Sequence, residues 1–141
     1  MITTTSQNGH YLRAGTYSIE EVLSKQLDPI EDGRVVQKIR NNDLHKVDFD
    51  GDLISMDSHR YWLFKHKGVV CKRCGIVGVF FAKEKDRKAN HYHFNLYALD
   101  ANGDEVLMTK DHILPKSKGG KNHIDNYDTM CCKCNFKKSN K

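Results

Sequence analysis

Two stretches of the chain, Cys71-Lys72-Arg73-Cys74 and Cys131-Cys132-Lys133-Cys134, each set a pair of thiols three positions apart. Two intervening residues let both sulfurs of a pair reach one ion at about 2.3 Å, and two such pairs complete the tetrahedral shell that structural zinc prefers. Cys71, Cys74, Cys131 and Cys134 are therefore expected to hold a structural Zn2+. The pairs are separated by residues 75–130, so the ion would close a long loop containing further structure. Closure costs grow only logarithmically with loop length, whereas zinc ligation contributes on the order of 10 kcal/mol to folding. A redox pair, whose thiols Lys72 and Arg73 would acidify, and unrelated buried thiols are the competing readings. One shared metal accounts for both pairs, and Cys132 is left as a spare thiol.

A second constellation lies between the pairs. Asp111-His112 ends a strand-like run, Pro115 and Gly119-Gly120 mark the loop that follows, and Asn126 precedes another short run; Cys134 is followed by Asn135 and then Lys138. With Cys71 and Cys74 ahead of it, this order resembles the HNH endonuclease family over roughly residues 58–141. The resemblance implies an α+β protein with a ββα-metal fold: a strand ending at Asp111-His112, a second strand from Tyr127 to Cys131, and a helix from about Cys132 to Ser139. It also implies a metal-dependent DNA endonuclease in which Asn126 holds the loop and helps orient His112. The last signature position, often His, is Asn135, making this an HNN variant.

The chemistry stands beside the resemblance. Hydrolysing a phosphodiester needs an activated water and a cation that stabilises charge on the pentacovalent phosphorus and on the leaving oxygen. His112 suits the first task, because a neutral imidazole can accept a proton near physiological pH. Asp111 and Asn135 suit the second: both offer oxygen, which matches Mg2+ or Mn2+ better than a softer ion. Neighbouring strand residues face opposite ways, so Asp111 and His112 must sit at a strand end to serve one site. Lys116, Lys118 and Lys121 around Gly119-Gly120, and Lys138 one helical turn after Asn135, are expected to meet phosphate. His123 is a weaker candidate for DNA contact. His91 and His93 share a strand face and could ligate a second metal, but packing is the better reading. The alternative to a nuclease is a zinc-stabilised nucleic-acid-binding module without catalysis.

Charge supports a polyanionic partner. Residues 1–56 hold six Lys/Arg against nine Asp/Glu, whereas residues 57–141 hold 17 against nine. The basic part also carries the cysteines, which points to nucleic acid. With 141 residues, 38% of them hydrophobic, the chain suits one modest core rather than an enzyme of two large domains. No apolar run has membrane-spanning length and the first residues lack signal-peptide character, so no membrane partner and a cytoplasmic location are expected. Reduced thiols in that compartment agree with metal ligation.

These residues need a frame. Residues 1–57 read as an N-terminal, partly helical extension of unknown role, and 58–141 as the nuclease domain. Residues 1–15 are polar and suggest a loosely held arm. Ser18-Ile19-Glu20-Glu21 forms a capping box ahead of Val22, Leu23 and Leu27, with Asp28-Pro29 as the stop. Arg34 to Arg40 fits either a helix or a strand, and 41–43 and 48–52 read as turns or a linker. Ser58 caps a helix over His59–Lys67 that Gly68 closes, with Tyr61, Leu63 and either Phe64 or Trp62 turned inward. Runs at Ile76–Ala82 and His91–Leu99 read as strands, and a third, Glu105–Thr109, follows a turn at 100–104 whose Asn102-Gly103 favours a hairpin. The stretch from Cys74 to Asp111 is therefore expected to be an insert with an extra β-hairpin.

Overall fold

A computed structural model describes residues 3–27, 30–31, 34–35 and 45–139. Its centre is an antiparallel six-stranded sheet in the order β1-β2-β7-β8-β9-β10. These strands are β1 (Thr4–Thr5), β2 (Tyr11–Tyr17), β7 (Gly78–Asp86), β8 (His93–Leu99), β9 (Glu105–His112) and β10 (Tyr127–Cys131). Two small hairpins, β3/β4 (Ile30–Glu31, Arg34–Val35) and β5/β6 (Lys46–Phe49, Asp52–Ser55), stand apart from it. The helices are α1 (Ile19–Leu23), α2 (His59–His66) and α3 (Cys132–Ser139).

The capping box at Ser18 forms as expected, with Glu21 N–H donating to the Ser18 hydroxyl and the Glu21 carboxylate accepting from Ser18 N–H. The helix it starts is only one turn long and buries Val22 and Leu23; the expected stop at Asp28-Pro29 lies outside the described residues. Helix α2 buries Tyr61, Leu63 and Phe64, while Trp62 stacks on His66 at 4.5 Å. Gly68 follows its last turn at φ +100°, the left-handed conformation that glycine adopts without strain. Phe49, Phe81, Phe94, Tyr61 and Tyr17 meet edge-to-face at centroid distances of 4.7–6.3 Å and form the aromatic centre of the core.

One expectation is corrected. Residues 3–15 do not form a loose arm: β2 pairs along β7, and the sheet crosses the boundary drawn at 57/58. Arg13 binds this strand down, meeting the buried Glu84 at 2.6 Å and Glu105 on β9 at 2.8 Å. The acidic stretch 48–52, read as a turn or a linker, is the turn at the tip of the β5/β6 hairpin, with positive φ at Asp50 and Gly51 as a tight two-residue turn requires. The hairpin expected in the insert after Cys74 forms, β8 pairing antiparallel with β9 across the 100–104 turn, and with β7 it lies in the middle of the sheet. Strand β7 runs past Ala82 through Lys83 and Glu84, both fully buried. The Lys83 ammonium donates to the Phe49 carbonyl and pairs with Asp52, and the Glu84 carboxylate accepts from Arg13, Asn95 and Tyr97. Buried charge is tolerated when it is paired in this way.

Candidate active site

The four cysteines come together between α2, β7 and the β10–α3 junction. Thr129 on β10 holds the first pair in place: its hydroxyl donates to the Gly68 carbonyl and its own carbonyl accepts from Lys72 N–H. Gly75, at φ +81°, lets the chain turn sharply after Cys74. Cys131 ends β10 and Cys134 lies in the first turn of α3. Ligand sulfurs of all four lie within 4.8 Å of one another, and Cys74 Sγ is 3.8 Å from Cys131 Sγ. A tetrahedron with 2.3 Å metal–sulfur bonds has an edge of about 3.8 Å. The backbone N–H groups of Cys74 and Cys134 point at Cys71 and Cys131 Sγ at 3.5 Å.

Electrostatics also favour an ion at this centre. Burial opposes ionisation of Cys71, but backbone N–H groups outweigh it and lower the thiol to about 6. Cys134 is pushed up to about 12 by burial and by its sulfur neighbours. Four thiolates so close together need a cation, and four cysteines at this spacing suit a metal such as zinc. Cys132, half-buried, is outside the cluster.

The junction that carries Cys131 also positions the second constellation. Strands β9 and β10 pair antiparallel, with Asp111 opposite Asp128 and His112 opposite Tyr127. Helix α3 begins immediately after β10, and its residues Asn135 and Lys138, three apart, face β9. Asp111, His112, Asn135 and Lys138 line one open cleft of about 680 Å³, together with Lys110, Lys116 and Lys118. Among the candidate residues, Lys121 and Asn126 do not line it.

Asp111 is buried, and its carboxylate accepts from the Lys138 ammonium at 2.7 Å; the same ammonium donates to the His112 carbonyl at 2.7 Å. Lys138, expected to meet phosphate, therefore closes onto the β9 end. Asn135 Nδ2 donates to Thr109 Oγ1 at 2.9 Å, while its Oδ1 accepts no hydrogen bond from the described residues. A hard carboxylate oxygen and an unengaged amide oxygen on the wall of one cleft are donors that fit a magnesium-like ion.

Asn126 acts on the loop backbone. Its Oδ1 accepts from Leu114 N–H at 2.8 Å, and its Nδ2 donates to the carbonyls of Leu114 and Lys121 at 3.0 and 2.9 Å. The loop between β9 and β10 is thereby pinned at both ends. Its short 3-10 turn over Lys116–Lys118 ends at Gly119, φ +90°. His112 takes its own hydrogen bond from elsewhere: Nε2 lies 2.8 Å from Asn122 Oδ1. With the Asn122 amide oxygen facing the ring, this contact suits the tautomer that donates from Nε2 and leaves Nδ1 as the basic nitrogen. The ring also packs edge-on against Tyr127 at 5.1 Å.

Asn122 is the site residue that motif spacing missed. It sits one position before His123 in a stretch of Gly, Lys and Asn, and only the folded loop shows where it points. His123 caps the 3-10 turn Ile124–Asn126 by accepting from Asp125 N–H. His91 and His93 join no metal-ligating group among the described residues; His93 packs edge-on against Tyr11 at 5.9 Å. No helix of the described residues is long and apolar enough to cross a membrane.

Residues 100–141 match the model of a family described as HNH endonuclease. The match runs from the turn before β9 to the end of the chain and includes Asp111, His112, Asn126, Cys131, Cys134 and Asn135, while Cys71 and Cys74 precede it. Neither a curated protein nor a solved structure matches the chain.

Proposed function

We propose that this chain, whose residues 100–141 belong to the HNH endonuclease family, is a metal-dependent DNA endonuclease working in the cleft between β9, the 116–118 turn and α3. The observation that carries the reading is the convergence of a histidine held at Nε2 by Asn122, a carboxylate and an unengaged amide oxygen on one lysine-rimmed cleft. The strand-loop-strand-helix order of β9, β10 and α3 supports the ββα-metal assignment. The nuclease unit is residues 58–141, and residues 1–57 are an extension that braces its sheet through β2. The chain works in the reducing cytoplasm, where Cys71, Cys74, Cys131 and Cys134 hold a structural Zn2+.

His112 Nδ1 takes the proton from a water, and the hydroxide so formed attacks phosphorus in line with the leaving 3′ oxygen. The bond to that oxygen breaks, and it is protonated by solvent. Asn122 keeps the proton on Nε2, which leaves Nδ1 free for this step. Asn126 fixes the loop that carries Asn122. Asp111 and Asn135 would hold Mg2+ or Mn2+, which supplies stabilisation of the charge that develops on the phosphoryl and leaving oxygens. Lys138 neutralises Asp111, and a cation held by that carboxylate would leave the ammonium available to phosphate. Lys116, Lys118 and Lys121 contact the backbone without reading sequence.

The test is nicking of supercoiled plasmid by the zinc-loaded chain across a series of divalent cations. Cleavage with Mg2+ or Mn2+, lost in Asp111→Ala and Asn135→Ala, is the expected result. DNA binding with no cleavage under any cation would replace this reading with that of a non-catalytic binding module.

A further inference from the structure

A second cleft, of about 640 Å³, lies beside the first, walled by the β5/β6 hairpin, the start of α2 and the approach to β8. Lys110 lines both clefts, so they meet at its side chain. On β9, Lys110 and His112 point to the same face, and both sit against the Tyr127 ring, the ammonium 4.5 Å from its centroid. Lys46, Arg60, His91 and His93 also line the second cleft, and no carboxylate does. A shallower trough continues from it past Lys46, Leu53, His91 and Tyr92 to Lys85; its one acidic residue, Asp52, is matched by the buried Lys83.

At the junction, Arg60, Lys110 and Lys116 pair with no carboxylate of the described residues. Arg60 donates to the Phe94 carbonyl and to Asn95 Oδ1, both uncharged. Lys110 is flanked by Arg60 in the second cleft and by Lys116 in the first. Like charges held together in this way are relieved by an anion. The row runs from the candidate catalytic histidine into a second groove, as a repeating anion would require.

We propose that the second cleft binds the DNA sugar-phosphate backbone flanking the scissile phosphate, with Lys110 and Arg60 as its central contacts. The strand passes from His112 over Lys110 into the groove between the β5/β6 hairpin and α2. This rests on the nuclease reading for the position of the cut, but its test is binding. Arg60 and the β5/β6 hairpin precede the family-matched segment, so this groove gives the N-terminal part of the chain a role in holding substrate.

The experiment is fluorescence anisotropy of a labelled 30-base-pair duplex with the full zinc-loaded chain, titrated over a range of salt. Each phosphate contact contributes about 0.9 to the slope of log K against log salt. Lys110→Gln and Arg60→Gln should each reduce the slope by about one and weaken binding roughly fivefold to tenfold at 0.1 M salt. Lys65→Gln, outside both clefts, should change neither. Arg60 also holds backbone, so Leu53→Glu serves as a second probe: it adds a negative charge to the wall at a side chain already 53% exposed, and it should weaken binding comparably. Unchanged slopes in Lys110→Gln and Arg60→Gln, with Leu53→Glu binding as wild type, would overturn the proposal, whether or not the preparation nicks plasmid. Reduced slopes support it, and absence of nicking in that case would count against the chemistry alone.

Discussion

A neutral imidazole always has one bare ring nitrogen, and the contact of Nε2 with Asn122 Oδ1, rather than any signature residue, favours Nδ1 as the one His112 offers. Asn122→Ala should lower kcat roughly fivefold to tenfold, the worth of one hydrogen bond of about 1 kcal/mol. KM should move little, and single-turnover nicking rates measure both. An unchanged kcat would mean that the ring is held by packing on Tyr127 alone. The side chains able to do chemistry were legible in the sequence, because ligand type and spacing are local properties: the four cysteines, Asp111, His112, Asn126 and Asn135 all stand out in one dimension. Asn122, Arg60 and the closure of Lys138 onto Asp111 were not, since each acts through a partner that only the fold brings near.

At the scale of elements, the β9–β10–α3 unit has its two ends fixed by different means, sulfur at one and a backbone clamp at the other. Chelating a metal held by the four cysteines should release the β10–α3 junction and α2 together, because Thr129 ties Gly68 and Lys72 to β10. Loss of helical circular dichroism in step with zinc release measures this, and unchanged helicity would mean the core alone holds α3. The loop end answers to a different substitution. A Cβ at Gly120 would come within 1.8 Å of the Leu114 carbonyl oxygen and 2.8 Å of the Pro115 carbonyl oxygen. Gly120→Ala should therefore displace the Asn122 segment and abolish most nicking while zinc stoichiometry stays at one, as read by metal analysis beside the activity assay. The strands of this unit were readable from alternation and turn residues, whereas β7 was cut short at Ala82. A Lys-Glu-Lys-Asp run looks like surface until its distant partners Asp52 and Arg13 are known.

Across the whole molecule, the N-terminal segment is coupled to the site strand by the Arg13 guanidinium and by Gln7, whose amide meets Asp104 and the Glu105 backbone. Arg13 on β2 spans Glu84 on β7 and Glu105 on β9, so β2 restrains the strand that ends at Asp111-His112. Arg13→Met leaves the fully buried Glu84 without its cation and should cost about 3–5 kcal/mol, the penalty for breaking a buried pair, in urea unfolding. Arg13 holds the Glu105 carboxyl below its ordinary range. That stabilisation is complete above the carboxyl's unfolded pKa and is lost as pH falls through the lower folded value. Glu105→Gln should thus flatten the acid limb of the stability profile and leave neutral-pH differences between pH 6 and 8 unchanged; an unaltered acid limb would show the pair to be silent. The polar composition of residues 1–15 concealed this strand, because its burial depends on the sheet and not on its own side chains. All of these couplings serve one cleft, and the most direct measurement of what it does is nicking of supercoiled plasmid with Mg2+ or Mn2+ by wild type and His112→Ala at matched DNA binding. The expected result is a fall of roughly 10²–10⁴-fold in the mutant, the range of a general base; equal rates in the two proteins would contradict the assignment of His112 and, with it, hydrolysis at this site.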